Sequence, residues 1–151
     1  MQELPHRYVV TATGVQDGDV ELTSSPLPTL RSAPPIEFGG PGTRWSPETL
    51  IVAAVGDCFI LTFRAIARAS KLTWTSLDCH VTGTLDRIER TTRFTRFDVH
   101  AELTLPPVAD IEQAERLLEK AERNCLITSS LNADVNLAID VRVSSKVPDA
   151  A

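Results

Sequence analysis

Cys58 stands in the run AAVGDCFILTF, residues 53–63, next to Asp57 and inside a segment that is apolar on almost every side. A thiol in such a place either fills space in a core or carries redox chemistry. The other cysteines are Cys79 and Cys125, and an odd count with wide gaps does not form the framework of a secreted disulfide protein. Cys79 alternates with Leu77 and Val81 and reads as a small apolar core residue. Cys125 opens the run CLITSSL and is either structural or a second thiol able to attack an oxidised Cys58. His6, His80 and His100 lie at no ligand spacing and no CxxC is present, so neither a metal nor an organic cofactor is expected. No GxGxxG, P-loop or GxSxG pattern occurs.

A reactive Cys58 makes physical demands on its surroundings. It follows Glu48 by ten residues, which on a helix is roughly 15 Å along the axis. The helix dipole fades within a turn and cannot lower its pKa, and burial alone would raise it. A cation is therefore expected nearby, best an arginine guanidinium. If Glu48 belongs to the same site, either an arginine bridges the two or Glu48 comes from a second subunit. Arg31 is the first choice, because it lies on an apolar-flanked loop able to fold over a buried helix. Arg44 is the second, unless it faces solvent beside Trp45. Asp57 cannot face Cys58 as its immediate neighbour on a helix and reads as polar lining. Phe59, with Val55, Ile60 and Phe63, and the loop containing Phe38 would make the surroundings apolar.

The elements that must hold these residues follow from pattern. Residues 7–13 and 20–23 read as strands separated by the turn signal DGD. Next comes a loop with Pro26, Pro28, Pro34, Pro35, Pro41 and Pro47, in which neither helix nor central strand is expected. Ser46 as N-cap, Pro47 in the first turn and Glu48 at the positive end predict a helix running to about Ser70. It has almost no polar face, so it must be buried within a fold or between subunits. Period-two alternation predicts strands over 75–89, 96–105 and 135–143, with RIERTTRFTR as a long hairpin tip. An amphipathic helix is predicted over 108–123. The order ββ-α-ββ-α-β points to one α+β domain over residues 1–151, built on an antiparallel sheet with one face left wet.

Composition narrows the functions. The 151 residues carry a net charge of −5, which argues against nucleic acid as the main partner. The arginines at the hairpin tip are interleaved with Asp86 and Glu89 and read as a solvated face. No signal peptide is visible, and the apolar stretch 50–63 looks too short to span a membrane. A cytoplasmic protein with no membrane partner is expected.

FGGPGTRWSPETLIVAAVGDCFILTFRAIAR, followed some way on by NCLITSSL, resembles the OsmC/Ohr family of peroxide-reducing proteins, and in its GGPG loop the OsmC-like branch. The resemblance covers about residues 7–145. It implies an intertwined homodimer with long central helices buried between the chains and sites at the interface. It implies Cys58 as the peroxidatic thiol, Cys125 as the resolving thiol and a disulfide between them. Glu48 would position an arginine beside the reactive sulfur, with an organic hydroperoxide as substrate and an external dithiol as reductant. In the hydroperoxide-resistance branch that arginine lies in the first hairpin turn, which here reads GVQDGD. The arginine must then come from elsewhere, Arg31 before Arg44. A member of the same fold that binds an apolar ligand at the dimer interface without turnover is the alternative. A thioesterase on a helix-wrapped sheet is a third reading.

Overall fold

The computed structural model describes residues 3–145. They fall into two compact units that divide between Ile51 and Val52, inside the first turns of a long helix.

The first unit is a small antiparallel sheet of β1 (Thr11–Thr13), β2 (Val20–Thr23) and β3 (Leu30–Ser32), in that order. The first predicted strand is shorter than expected: Tyr8, Val9 and Val10 precede it and are exposed. The proline loop also holds more structure than its composition suggested. Leu30, Arg31 and Ser32 form a proline-free window that pairs with β2, and one 3₁₀ turn, Ile36–Phe38, follows Pro35. That turn closes on Gly39 at φ +80°, a backbone conformation that suits glycine.

Helix α1 (Pro47–Ala69) starts as its sequence dictates. The Thr49 N–H donates to Ser46 Oγ (3.1 Å), and the Ser46 N–H donates to Thr49 Oγ1 (2.8 Å). This is a reciprocal cap with Thr in place of the usual Glu or Gln. Val55, Phe59, Phe63 and Ala67 recur every four residues and form its buried stripe.

The second unit is built on β4 (Ser76–Ile88), β5 (Thr91–Leu105) and β6 (Asp134–Val143), with β5 in the centre. The expected all-antiparallel sheet is corrected here: β4 and β5 are antiparallel, but β5 and β6 run parallel. Helix α2 (Ile111–Arg123) and its flanking loops return the chain to the starting end of β5, so the next strand must run the same way. The single expected sheet is likewise two sheets of three strands. The β4–β5 ladder reaches Ile88 and Thr91 and turns through Glu89 and Arg90, both at positive φ.

One face of this sheet carries the core. Phe97, Val99, Ala101, Leu103 and Leu105 of β5 meet the α1 stripe and Ala114, Leu117, Leu118 and Ala121 of α2. Gly83 marks a close approach of sheet to helix, since a Cβ there would lie 2.7 Å from Val52 Cγ2. The other face is polar, with His80, His100, Glu102, Asn136 and Asp140 at least partly exposed. This is the wet face that the alternation predicts.

Helix α1 revises one sequence expectation. By length and composition it is long and apolar enough to cross a membrane, with mean hydropathy 2.0 over its most apolar window, of which 22 % is buried. Its apolar stripe is nonetheless committed to the sheet, and the opposite side, including Leu61 at 49 % exposure, has no cover among the described residues.

Candidate active site

The two thiols marked by the sequence meet. Cys58 is half-buried on α1, and Cys125 is buried just past the end of α2. Both are reduced, and the side chain of Cys125 lies in hydrogen-bonding reach of the Cys58 sulfur. Between Cys125 and β6 the chain makes a short helix absent from the sequence expectation, α3 (Leu126–Ser129). Its first residues turn backbone N–H groups toward Cys58: those of Ile127 and Leu126 both donate to the sulfur. The Thr62 hydroxyl, one turn further along α1, stands 3.9 Å from Cys58 Sγ.

These donors decide the charge of the site. Burial is the largest influence on Cys58 and pushes its thiol pKa up. The Ile127 N–H, the Cys125 side chain, the Thr62 hydroxyl and the Leu126 N–H together outweigh it and hold the thiol below its ordinary value. Cys125 moves the other way. Burial raises it, the Thr128 N–H and side chain lower it, and the hydrogen bond and charge of Cys58 raise it again. The two thiols are thus displaced in opposite directions, Cys58 downward and Cys125 upward.

Thr62 and the two N–H groups are the participants that sequence reasoning missed. Thr62 was legible, because i+4 spacing from Cys58 puts it on the same helix face. The N–H groups owe their aim to TSS after Cys125. The Ser129 hydroxyl donates to the Cys125 carbonyl (2.8 Å), as does that of Thr128 (3.2 Å), and both fold the chain into the α3 turn.

The remaining candidates have varied surroundings. Phe59 is 2 % exposed and its ring is part of the core. Asp57 is exposed. In the first unit, Phe38 is exposed, Arg31 makes a loose ion pair with Glu21 (3.6 Å), and the Arg44 Nε–H donates to Asp19 at 2.7 Å. Glu48 lies in the first turn of α1, and its Oε2 is buried with no hydrogen-bond partner among the described residues.

Comparison with known proteins identifies the family. A sequence model of the OsmC-like protein family matches residues 40–140, which include both thiols and Glu48. The peroxiredoxin OsmC of Escherichia coli is 27 % identical over 92 residues, covering 61 % of this chain and 64 % of that protein. The uncharacterized protein YmaD of Bacillus subtilis is 25 % identical over 112 residues, covering 72 % of this chain and 75 % of its own. The crystal structure of an organic hydroperoxide resistance protein OsmC from Legionella pneumophila superposes with a TM-score of 0.75 at 27 % identity, covering 92 % of this chain and 100 % of that one. By sequence and fold, the chain belongs to the OsmC-like family.

Proposed function

We propose that the protein is a thiol-dependent peroxidase that reduces organic hydroperoxides, and hydrogen peroxide as a smaller substrate, to alcohol or water. The observation that supports this reading above all is the Cys58–Cys125 pair, within hydrogen-bonding reach of each other and with their thiols displaced in opposite directions. The Cys58 thiolate attacks the terminal oxygen of ROOH. The O–O bond breaks, the alkoxide leaves with its electron pair and takes a proton from water, and Cys58 becomes a sulfenic acid.

Resolution depends on the same electrostatics. A neutral sulfenic acid no longer carries the negative charge that raised the Cys125 pKa, while Thr128 still lowers it. Cys125 then deprotonates more readily and attacks the Cys58 sulfur, expelling hydroxide that leaves as water. The disulfide is returned to two thiols by an external dithiol, which is itself oxidised. The step requires no metal or organic cofactor.

The protein acts as a homodimer in this reading. The uncovered apolar side of α1 needs a partner, and a second copy supplies one of the right chemistry. The buried Glu48 oxygen needs a donor, since a buried polar atom left unpaired costs about 1–3 kcal/mol. An arginine pairing with Glu48 supplies that donor. Arg31, held only by a 3.6 Å contact with Glu21, is freer to do this than Arg44.

The test is consumption of cumene hydroperoxide by the reduced protein with a dithiol present, beside Cys58→Ser. We expect turnover in the wild type and a loss on the order of a thousandfold or more in the variant. Equal rates in the two proteins, or a wild type that binds the hydroperoxide without consuming it, would refute the peroxidase and favour the ligand-binding alternative.

A further inference from the structure

A Cys58–Cys125 disulfide must be reopened, and its two sulfurs are unequally placed for that. Cys58 is half-buried on α1, whereas Cys125 is 1 % exposed between α2 and α3. A thiolate attacks a disulfide in line, entering opposite the bond that breaks. At Cys125 that line runs through packed chain. At Cys58 it is open on the thiol-peroxidase reading, on which this inference rests: the hydroperoxide reaches that sulfur, and hydroxide leaves it on the side away from Cys125. Leaving-group strength alone points the other way, since Cys58 is the thiol of lower pKa. Access outweighs it only if the departing Cys125 is received by a donor.

Thr128 is placed to be that donor. Its N–H and its hydroxyl both lie in hydrogen-bonding reach of the Cys125 sulfur. The single hydroxyl proton has a competing acceptor, the Cys125 carbonyl, at 3.2 Å. That carbonyl also accepts from the Ser129 N–H (3.1 Å) and the Ser129 hydroxyl (2.8 Å). The Thr128 proton can therefore leave the carbonyl without stranding it, and an anionic sulfur is the stronger acceptor.

We propose that the external dithiol attacks the Cys58 sulfur, and that the Thr128 hydroxyl turns from the Cys125 carbonyl to the departing Cys125 thiolate. One thiolate of the dithiol gives its electron pair to Cys58 Sγ. The Cys58–Cys125 bond breaks, and Cys125 leaves with the pair and takes a proton from water. The second thiol of the dithiol loses its proton to water and attacks the dithiol's own sulfur in the mixed disulfide. Cys58 is expelled as thiolate, and the dithiol ends as its disulfide. The better leaving group thus departs last, into the donors of Ile127, Leu126 and Thr62.

The test starts from protein oxidised with diamide, so it reads the reduction even if the protein consumes no hydroperoxide. N-acetylcysteine, a monothiol that cannot complete the second step, is added and the reaction is quenched with acid early in its course. Peptide mass spectrometry should find the adduct on Cys58 and a free thiol at Cys125. In Thr128→Val, reduction by dithiothreitol should slow about tenfold, the scale of one hydrogen bond to a charged group. The alkylation midpoint of reduced Cys58 should stay in place, and Thr128→Ser should restore the reduction rate. An adduct on Cys125, or no Cys58–Cys125 disulfide after diamide, would overturn the proposal. So would an unchanged rate in Thr128→Val, a slowing that serine does not restore, or a shifted Cys58 midpoint, which would mean that Thr128 acts by holding the turn.

Discussion

Cys79 and Cys58 lie in one compact unit, yet their thiols are driven apart. Cys79 points from β4 into the packed face, where its sulfur would stand 3.9 Å from a Cβ at Gly56. Burial, and secondarily the charge of Cys125, push its pKa up to about 11. Cys58 is also pushed up by burial, but the α3 turn and Thr62 surround it with donors and carry it below the ordinary value. Apolar packing by itself silences a thiol, and a few fixed dipoles reverse that. The difference originates in the α3 turn, because the two N–H groups belong to Leu126 and Ile127.

Removing the partner thiol gives the largest effect within this contrast. Cys125→Ser keeps a hydroxyl where the thiol donated, so the first oxidation of Cys58, followed by sulfenic-acid trapping, should stay within about threefold of wild type. Steady-state turnover with a dithiol should fall on the order of a hundredfold, because the disulfide cannot form. The matching change at the silent site, Cys79→Ala, should leave turnover within about twofold. A Cys79 variant as slow as the Cys125 variant would make Cys79 a participant and collapse the distinction.

Alkylation reads the same contrast directly. Cys79, at about 11, lies about two pH units above an ordinary thiol, and Cys58 lies below it. At pH 7.5 the thiolate fractions alone then differ by at least ~100-fold. Iodoacetamide followed by peptide mass spectrometry should label Cys58 first by that margin. Comparable labelling at both positions would show that the donors around Cys58 do not act as described.

The sequence made the frame of this site legible and left its chemistry half-drawn. The start of α1 was readable because Ser46 and Pro47 act locally, and the strands because alternation reports a buried face. The residues alone left Cys125 either structural or a second thiol, and family resemblance paired it with Cys58, since nothing local in the 66 intervening positions brings two sulfurs together. The parallel course of β6 and the ladder position of β3 were missed because pairing is a tertiary property with no signature inside a three-residue window. The search for a cation beside Cys58 overlooked backbone N–H groups, which every residue but proline carries and which become visible only when a turn aims them.

Linkage extends the comparison to stability. The folded Cys79 thiol is raised above its unfolded value, so its contribution is fully present below the unfolded pKa and is lost as pH rises toward about 11. Cys58 is lowered, so its contribution is present above the unfolded pKa and is lost as pH falls through the folded value. Urea unfolding of the reduced protein between pH 8 and 11 should therefore show a decline that Cys79→Ala flattens and Cys58→Ala steepens. Parallel curves for the two variants would mean that the sulfurs do not sit in opposite environments.

Thr62→Val is the finest cut. It removes one hydroxyl donor at 3.9 Å and keeps the shape of the side chain. A long contact to sulfur, with the N–H groups of Ile127 and Leu126 still in place, should contribute a fraction of an ordinary hydrogen bond. The midpoint of Cys58 alkylation should move to higher pH, and first-turnover oxidation near neutrality should slow by about two- to threefold. Thr62→Ser should restore both, since the donor returns without the methyl group. Restoration separates a hydrogen-bonding role from a packing role, because valine already fills the space. If Thr62→Val left the alkylation midpoint where it was, the low pKa of Cys58 would rest on the α3 turn and Cys125 alone.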